Sequence, residues 1–375
     1  MINRLAKLSF EGIKKGVLHR IQYSANKASY PTFLTYQFTN LCNSRCIMCG
    51  IWKNRRSNEL AIKEIKKIFE NRLFSKIRWI NLTGGEPFLR NDLVETVKIV
   101  NTLPDLEGIA IPTNGFLTDK IAKDVKTILS VLNKNKFLSV TVSIDGLEKT
   151  HDKIRGINGC FKRAISTIKE LRKIKNKNFN LGVETTISKL NLGELMESYL
   201  YLKKLVPYIG HTIALPSAGY FGNLNSNVFI TKEDYRKIIK FLKTIIKYEP
   251  EHAFYYNLLI DIMNGKNRKM FCLAGFKSVF MNQNGNLYPC AILSGNKKYF
   301  VGNAIDKDIL KKWFESNELR KSLKKEQLCK RCSFSCDLIN NIKEEFLQFS
   351  MFLLKNPKVA FGLAGKLNKF KGSYF

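Results

Sequence analysis

From Phe33 onward, short apolar runs alternate with amphipathic stretches, a pattern that restricts the chain to repeated strand-helix units built on a parallel sheet. The runs Phe33–Phe38, Ile77–Leu82, Gly108–Pro112, Leu138–Ile144, Phe179–Thr186 and His211–Leu215 read as strands. Between them lie helical patterns, the clearest being Phe161, Ala164, Ile165, Ile168 and Leu171, whose steps of three and four place them on one face. Six strands joined by right-handed crossovers make an open or partial barrel, and the loops after such strands gather at one end, where ligands bind. After about Tyr220 the pattern changes. A turn-rich stretch, Gly222–Asn227, leads into an amphipathic segment from Glu233 to Tyr248, and cysteines return at Cys272, marking a second, smaller domain.

With 375 residues, 45% of them hydrophobic, the chain buries one large core or two smaller ones. Nine cysteines, an odd number set at close spacings in a long chain, read as metal ligands in a reducing compartment and not as disulfides. No run of about 18 apolar residues occurs, and the first residues lack the apolar core of a signal peptide, so a cytoplasmic location is expected. The net charge of +32 attracts polyanions, but most of it is dispersed over the body as a Lys-rich solvated surface.

Directly after the first strand comes Cys42-Asn43-Ser44-Arg45-Cys46-Ile47-Met48-Cys49, three thiols in one loop at C-x3-C-x2-C spacing. A cubane held by three protein ligands keeps one iron open, the position needed to bind a small molecule and do chemistry on it. A closed zinc or electron-transfer site would bring a fourth ligand nearby, yet no His or further Cys stands between Gly50 and His151. After the second strand comes Thr83-Gly84-Gly85-Glu86-Pro87. Pro112-Thr113-Asn114-Gly115 ends the third. The fourth reads Val142-Ser143-Ile144-Asp145-Gly146, followed by His151-Asp152-Lys153-Ile154-Arg155-Gly156. In this order the motifs resemble the radical S-adenosylmethionine (radical SAM) superfamily. The resemblance implies a partial (β/α)6 TIM-type barrel of class α/β, a SAM-binding 4Fe-4S cluster on Cys42, Cys46 and Cys49, SAM's amino group at Gly84, Gly85 and Glu86, its ribose at Ser143, and its adenine near the backbone of Met48.

A second set follows: Cys272, then Gly285 and Cys290, then Cys329-Lys330-Arg331-Cys332-Ser333-Phe334-Ser335-Cys336. It resembles the auxiliary-cluster extension called SPASM, or its shortened form, twitch. One auxiliary 4Fe-4S cluster on Cys272, Cys290, Cys329 and Cys332 is expected, with Cys336 a substitute or bystander; a zinc knuckle suits the same spacing. Cys160, isolated at a helix start, reads as a core thiol, with a hydrogen-atom donor as the sharper alternative. These readings divide the chain into a basic amphipathic N-terminal segment (1–32), the barrel (33–220), the auxiliary-cluster domain with its linker helix (221–340) and basic apolar C-terminal helices (341–375). Asn356 and Pro357 suit the N-cap and first position of the last helix. The helical tails either cover the open edges of the barrel or lie on an anionic membrane face.

The resemblance implies an enzyme that splits SAM reductively to a 5′-deoxyadenosyl radical and removes hydrogen from a substrate, with flavodoxin or ferredoxin as reductant. A peptide is the first expectation for that substrate and a lipid or surface-glycan precursor the second. RNA modification rests on charge alone, with no added RNA-binding module beside the barrel, and nucleic acid is disfavoured as a partner. From another class, a noncatalytic iron-sulfur or zinc scaffold fits the cysteines, but the intact triad and Glu86 argue against it.

Overall fold

The apolar runs become the strands of one nine-stranded sheet of order β6-β5-β4-β3-β2-β1-β7-β8-β9. The computed structural model describes residues 16–54, 58–268, 270–335, 352 and 356. Strands β1 (Phe33–Thr39), β2 (Trp79–Gly84), β3 (Gly108–Thr113), β4 (Phe137–Ser143), β5 (Phe179–Ile187) and β6 (Tyr208–Ile213) are parallel, each bonded to the next. This is the partial TIM-type barrel expected.

The crossovers are α2 (Ile62–Phe69), α3 (Leu93–Val100), α4 (Thr118–Val131), α5 (Glu148–Arg155) with α6 (Cys160–Leu171), and α7 (Leu195–Lys203), the first helix, α1, covering 16–24. Their apolar stripes pack on the sheet. In α6 Phe161, Ala164, Ile165, Ile168 and Leu171 are all buried, as their spacing predicts. Ile80, Ile109, Leu138, Val140 and Val183 are fully buried strand residues of the same core, each contributing about 1.5–3 kcal/mol of burial.

The observed second region begins with α8 (Lys232–Tyr248) and α9 (Ala253–Met263). The chain then returns to the same sheet. Strand β7 (Ser278–Met281) pairs in parallel with β1, and the short strands β8 (Asn286–Tyr288) and β9 (Gly302–Asn303) add antiparallel. The open edge beside β1 is thus covered by this hairpin. Helices α10 (Ile309–Glu315) and α11 (Asn317–Lys325) follow. Residues 1–15 and most of 336–375, and with them the tail helices inferred from sequence, lie outside the described residues. Of the C-terminal stretch, Phe352 packs edge-on against Phe254 of α9, ring centroids 5.1 Å apart.

Candidate functional site

A cavity of about 290 Å3 opens at the C-terminal ends of the strands, and Cys42, Cys46 and Cys49 all face it, with Gly84, Gly85 and Ser143 across the rim. The cysteine loop is strapped on two sides. On one side Gly85 N donates to Thr39 O and Glu86 N to Leu41 O, each at 2.7 Å. The approach is so close that a Cβ on Gly84 would lie 2.2 Å from Thr39 O, and one on Gly85 2.1 Å from Leu41 O. Gly84 also holds φ +117°, where side chains are strained. The glycine pair therefore seats the cysteine loop against β2, a role that sequence reading gave only to ligand approach. On the other side Arg45 N donates to Arg155 O and Ile47 N to Ile154 O, both at 2.9 Å. Glu59 fixes the start of the loop, accepting from Thr39 Oγ1 at 2.6 Å and Asn40 N at 2.8 Å.

Glu86 is buried, and its carboxylate turns toward the end of β3, accepting from Asn114 N (2.7 Å), Thr113 Oγ1 (2.9 Å) and Phe88 N (3.2 Å). Asn114 Nδ2 in turn donates to Asn43 Oδ1 at 2.7 Å. The motifs after β1, β2 and β3 thus form one bonded unit. Burial outweighs those three bonds and pushes the Glu86 carboxyl up to about 7 from its usual 4.5. A raised carboxyl favours the fold while protonated. Glu86 thus contributes a stability that is full below about pH 4.5 and lost as pH rises through about 7. Denaturant titrations of the metal-free protein should show this slope, and Glu86→Gln should flatten it; an unchanged slope in the variant would place its origin elsewhere.

One functional candidate escaped the sequence reading: Arg155, buried at the end of α5, pairs with the buried Asp145 at 2.6 Å. Its Nη1 also donates to Cys46 Sγ at 3.8 Å. Burial is the largest influence on each group. It raises the Asp145 carboxyl, whereas the Asp145 and Cys46 charges more than offset it for Arg155, whose guanidinium is held charged. Below them His151 is buried and neutral, its Nδ1 accepting from Asp145 N at 3.1 Å. Arg155 and Asp145 stand ten residues apart within the stretch quoted after the fourth strand, but nothing in the sequence pairs them, and the fold does.

The triad fits a cationic iron-sulfur centre by its donor chemistry. Burial drives the Cys42 thiol up to about 11 and that of Cys49 to about 12, and neighbouring thiols add to both, so these two ionise readily only against a compensating cation. Ser44 N donates to Cys42 Sγ at 3.4 Å, and Ser44 Oγ lies 3.0 Å from Cys46 Sγ. Met48 is buried on the cavity wall, its carbonyl accepting from Asn223 Nδ2 at 2.8 Å.

In the second region Cys329 is raised to about 12 by burial and by its neighbours Cys272 and Cys332. Cys290 and Cys332 pack on one aromatic cluster with Phe276, Phe280 and Phe334, and Cys49 borders the same cluster. Cys49 of the first set and Cys290 and Cys332 of the second thus share one aromatic cluster with Tyr220, Phe221 and Phe334, and Phe334 and Ser335 reach the cavity itself. Cys336 lies outside the described residues. Cys160 is fully buried, donates its thiol proton to Asp152 Oδ1 at 3.1 Å and does not line the cavity, which supports the core reading. Among the described residues no three His, Cys, Asp or Glu side chains close around a single metal ion.

Comparison with known proteins gives two family matches: the radical SAM superfamily over residues 36–202 and the iron-sulfur cluster-binding SPASM domain over residues 272–337. A GTP 3′,8-cyclase of Alkaliphilus oremlandii is 27% identical over 278 residues, 69% of this chain and 80% of its own. An AdoMet-dependent heme synthase of Methanosarcina barkeri is 25% identical, over 80% of this chain and 87% of its own. Among solved structures, anSMEcpe with bound AdoMet superposes with a TM-score of 0.61 at 19% identity, covering 92% of this chain and 98% of that one. Streptococcus suis SuiB bound to its precursor peptide SuiA gives 0.60 at 17% identity, covering 86% and 79%.

Proposed function

The chain belongs to the radical SAM superfamily and carries a C-terminal SPASM region, and from that premise we propose that it removes a hydrogen atom from a peptide substrate after reductive cleavage of SAM. It is a radical SAM enzyme whose cofactors are SAM and 4Fe-4S clusters. One observation carries the reading: three thiols of one loop face the same cavity as Gly84, Gly85 and Ser143. The peptide class is supported by two neighbours of similar fold whose structures contain peptides, SuiB with SuiA and anSMEcpe with Cp18Cys.

In this proposal Cys42, Cys46 and Cys49 hold the SAM-binding cluster, and Cys272, Cys290, Cys329 and Cys332 the auxiliary one. When bound, the reduced cluster supplies the electron that splits the sulfonium of SAM and so generates the hydrogen-abstracting radical. The chain's own residues place and shield that event. Glu86, buried and rich in electron density, draws the ammonium of SAM to the glycine pair. Ser143 takes the ribose, and the backbone of Met48 meets the adenine. Arg155 keeps a fixed positive charge beside Cys46, which favours the more negative state of that loop. The cluster of Tyr220, Phe221 and Phe334 excludes water beside the cysteines that border it. The electron enters from a reductant such as flavodoxin or ferredoxin. No helix among the described residues is long and apolar enough to cross a membrane.

The test is made on anaerobically reconstituted protein: iron and sulfide content, with 5′-deoxyadenosine release from SAM under dithionite. The expected result is about eight irons per chain and release of deoxyadenosine. Zinc with only about four irons would overturn the auxiliary cluster, and a fully loaded protein that never cleaves SAM would overturn the catalytic reading.

A further inference from the structure

Across the cavity from the cysteine loop stands a carboxyl that none of the motifs explains. Glu184 of β5 is in register with Ser143 on one side and Gly210 of β6 on the other. Its carboxyl faces the cavity and, among the described residues, has no hydrogen-bond or ion-pair partner. Room for it exists only because position 210 is glycine. A Cβ there would lie 2.1 Å from Glu184 Oε2 and 2.8 Å from Tyr208 Oη. Its neighbours by register that line the same cavity are uncharged: Ser143, Thr141, Thr186, Tyr208 and Thr212.

The charges facing this carboxyl do not compensate it. Besides Glu184, the one formally charged side chain among the described lining residues is Arg155, which Asp145 already holds at 2.6 Å. Asp145 itself repels Glu184. Burial first, and Asp145 second, push the Glu184 carboxyl up to about 8. The three thiols across the cavity add negative charge once ionised. A cationic ligand group entering here would supply the missing partner, whereas an anionic one would find no cation at this wall other than Arg155, which Asp145 already holds.

We propose that Glu184 is the anionic anchor of the substrate chamber, and that the substrate presents an aliphatic ammonium or guanidinium group to it. The inference rests on the radical SAM reading of the cavity and narrows its substrate to one with a basic group. On docking, the neutral carboxyl gives its proton to solvent and the resulting carboxylate pairs with the incoming cation; no other bond forms or breaks. The geometry also argues against a polyanionic substrate seated at this wall.

Difference infrared spectroscopy of the reconstituted, SAM-loaded protein tests this, with n-butylammonium as the probe and n-butanol as its neutral counterpart. At pH 7 about nine-tenths of Glu184 should be protonated without probe, giving a carboxylic acid band absent from Glu184→Gln. Saturating butylammonium should take that fraction below half, and butanol should leave it unchanged. Gly210→Ala, whose new methyl displaces the carboxyl, should raise the probe concentration needed by about tenfold or more. A band insensitive to butylammonium would overturn the proposal. So would a band already lost on adding SAM alone, which would give Glu184 to the cofactor. The readout needs no turnover, so absence of deoxyadenosine release from the parent protein would unseat the radical reading separately.

Discussion

Replacing Cys42, Cys46 and Cys49 together by Ala should remove about four of about eight irons and abolish deoxyadenosine release, while the second cysteine set keeps its iron. The expectation follows from geometry. The three thiols sit on one loop held by β2 and by the end of α5, and each faces the cavity. No other described cysteine lines that cavity, so no thiol substitutes. Thiol-to-Ala changes on this loop leave its backbone straps intact, so thermal melting of the metal-free variant should stay within a few degrees of the parent. Iron, sulfide and electron paramagnetic resonance measurements on both proteins decide the matter. A variant that retains all of its iron would show that the ligands lie elsewhere.

The second large effect is expected at Arg155. Arg155→Met keeps much of the side-chain volume but leaves the fully buried Asp145 without its cation, a loss that typically destabilises by about 3–5 kcal/mol. Asp145→Asn in the same chain removes the stranded charge and should recover a large part of that loss. Denaturant unfolding of the metal-free single and double variants measures both. A single variant within about 1 kcal/mol of the parent would mean that water relieves Asp145 and that the pair does not anchor the loop. The raised Asp145 carboxyl predicts in addition that the single variant loses more stability at pH 8 than at pH 4.

Five of the six barrel strands were legible in the sequence to within two residues at either end, because each is a short stretch dense in apolar and β-branched residues between amphipathic helical patterns. The sixth begins three residues earlier than its apolar signal, since Tyr208, Ile209 and Gly210 follow Pro207 and carry the room for Glu184 in place of a clear run. Strands β7, β8 and β9, of four, three and two residues, were invisible: too short for periodicity, and set among turn residues and cysteines. The cysteine triad was legible because its ligands are close in sequence. Arg155, Asp145 and Glu184 were not, because their significance lies in what faces them across the strand ends, and one sequence carries no record of that.

The parallel pairing of β7 with β1 has a mechanical consequence. Strand β1 leads into the first cysteine loop, and Cys272 and Cys290 flank the β7-β8 hairpin that pairs with β1, so the two cysteine-bearing segments are joined through one hydrogen-bonded sheet. The connection between the two segments therefore runs through strand pairing as well as through the linker that holds α8 and α9. Shortening or lengthening that linker alters the path of the chain while the pairing of β7 with β1 still brings the second segment back beside the first.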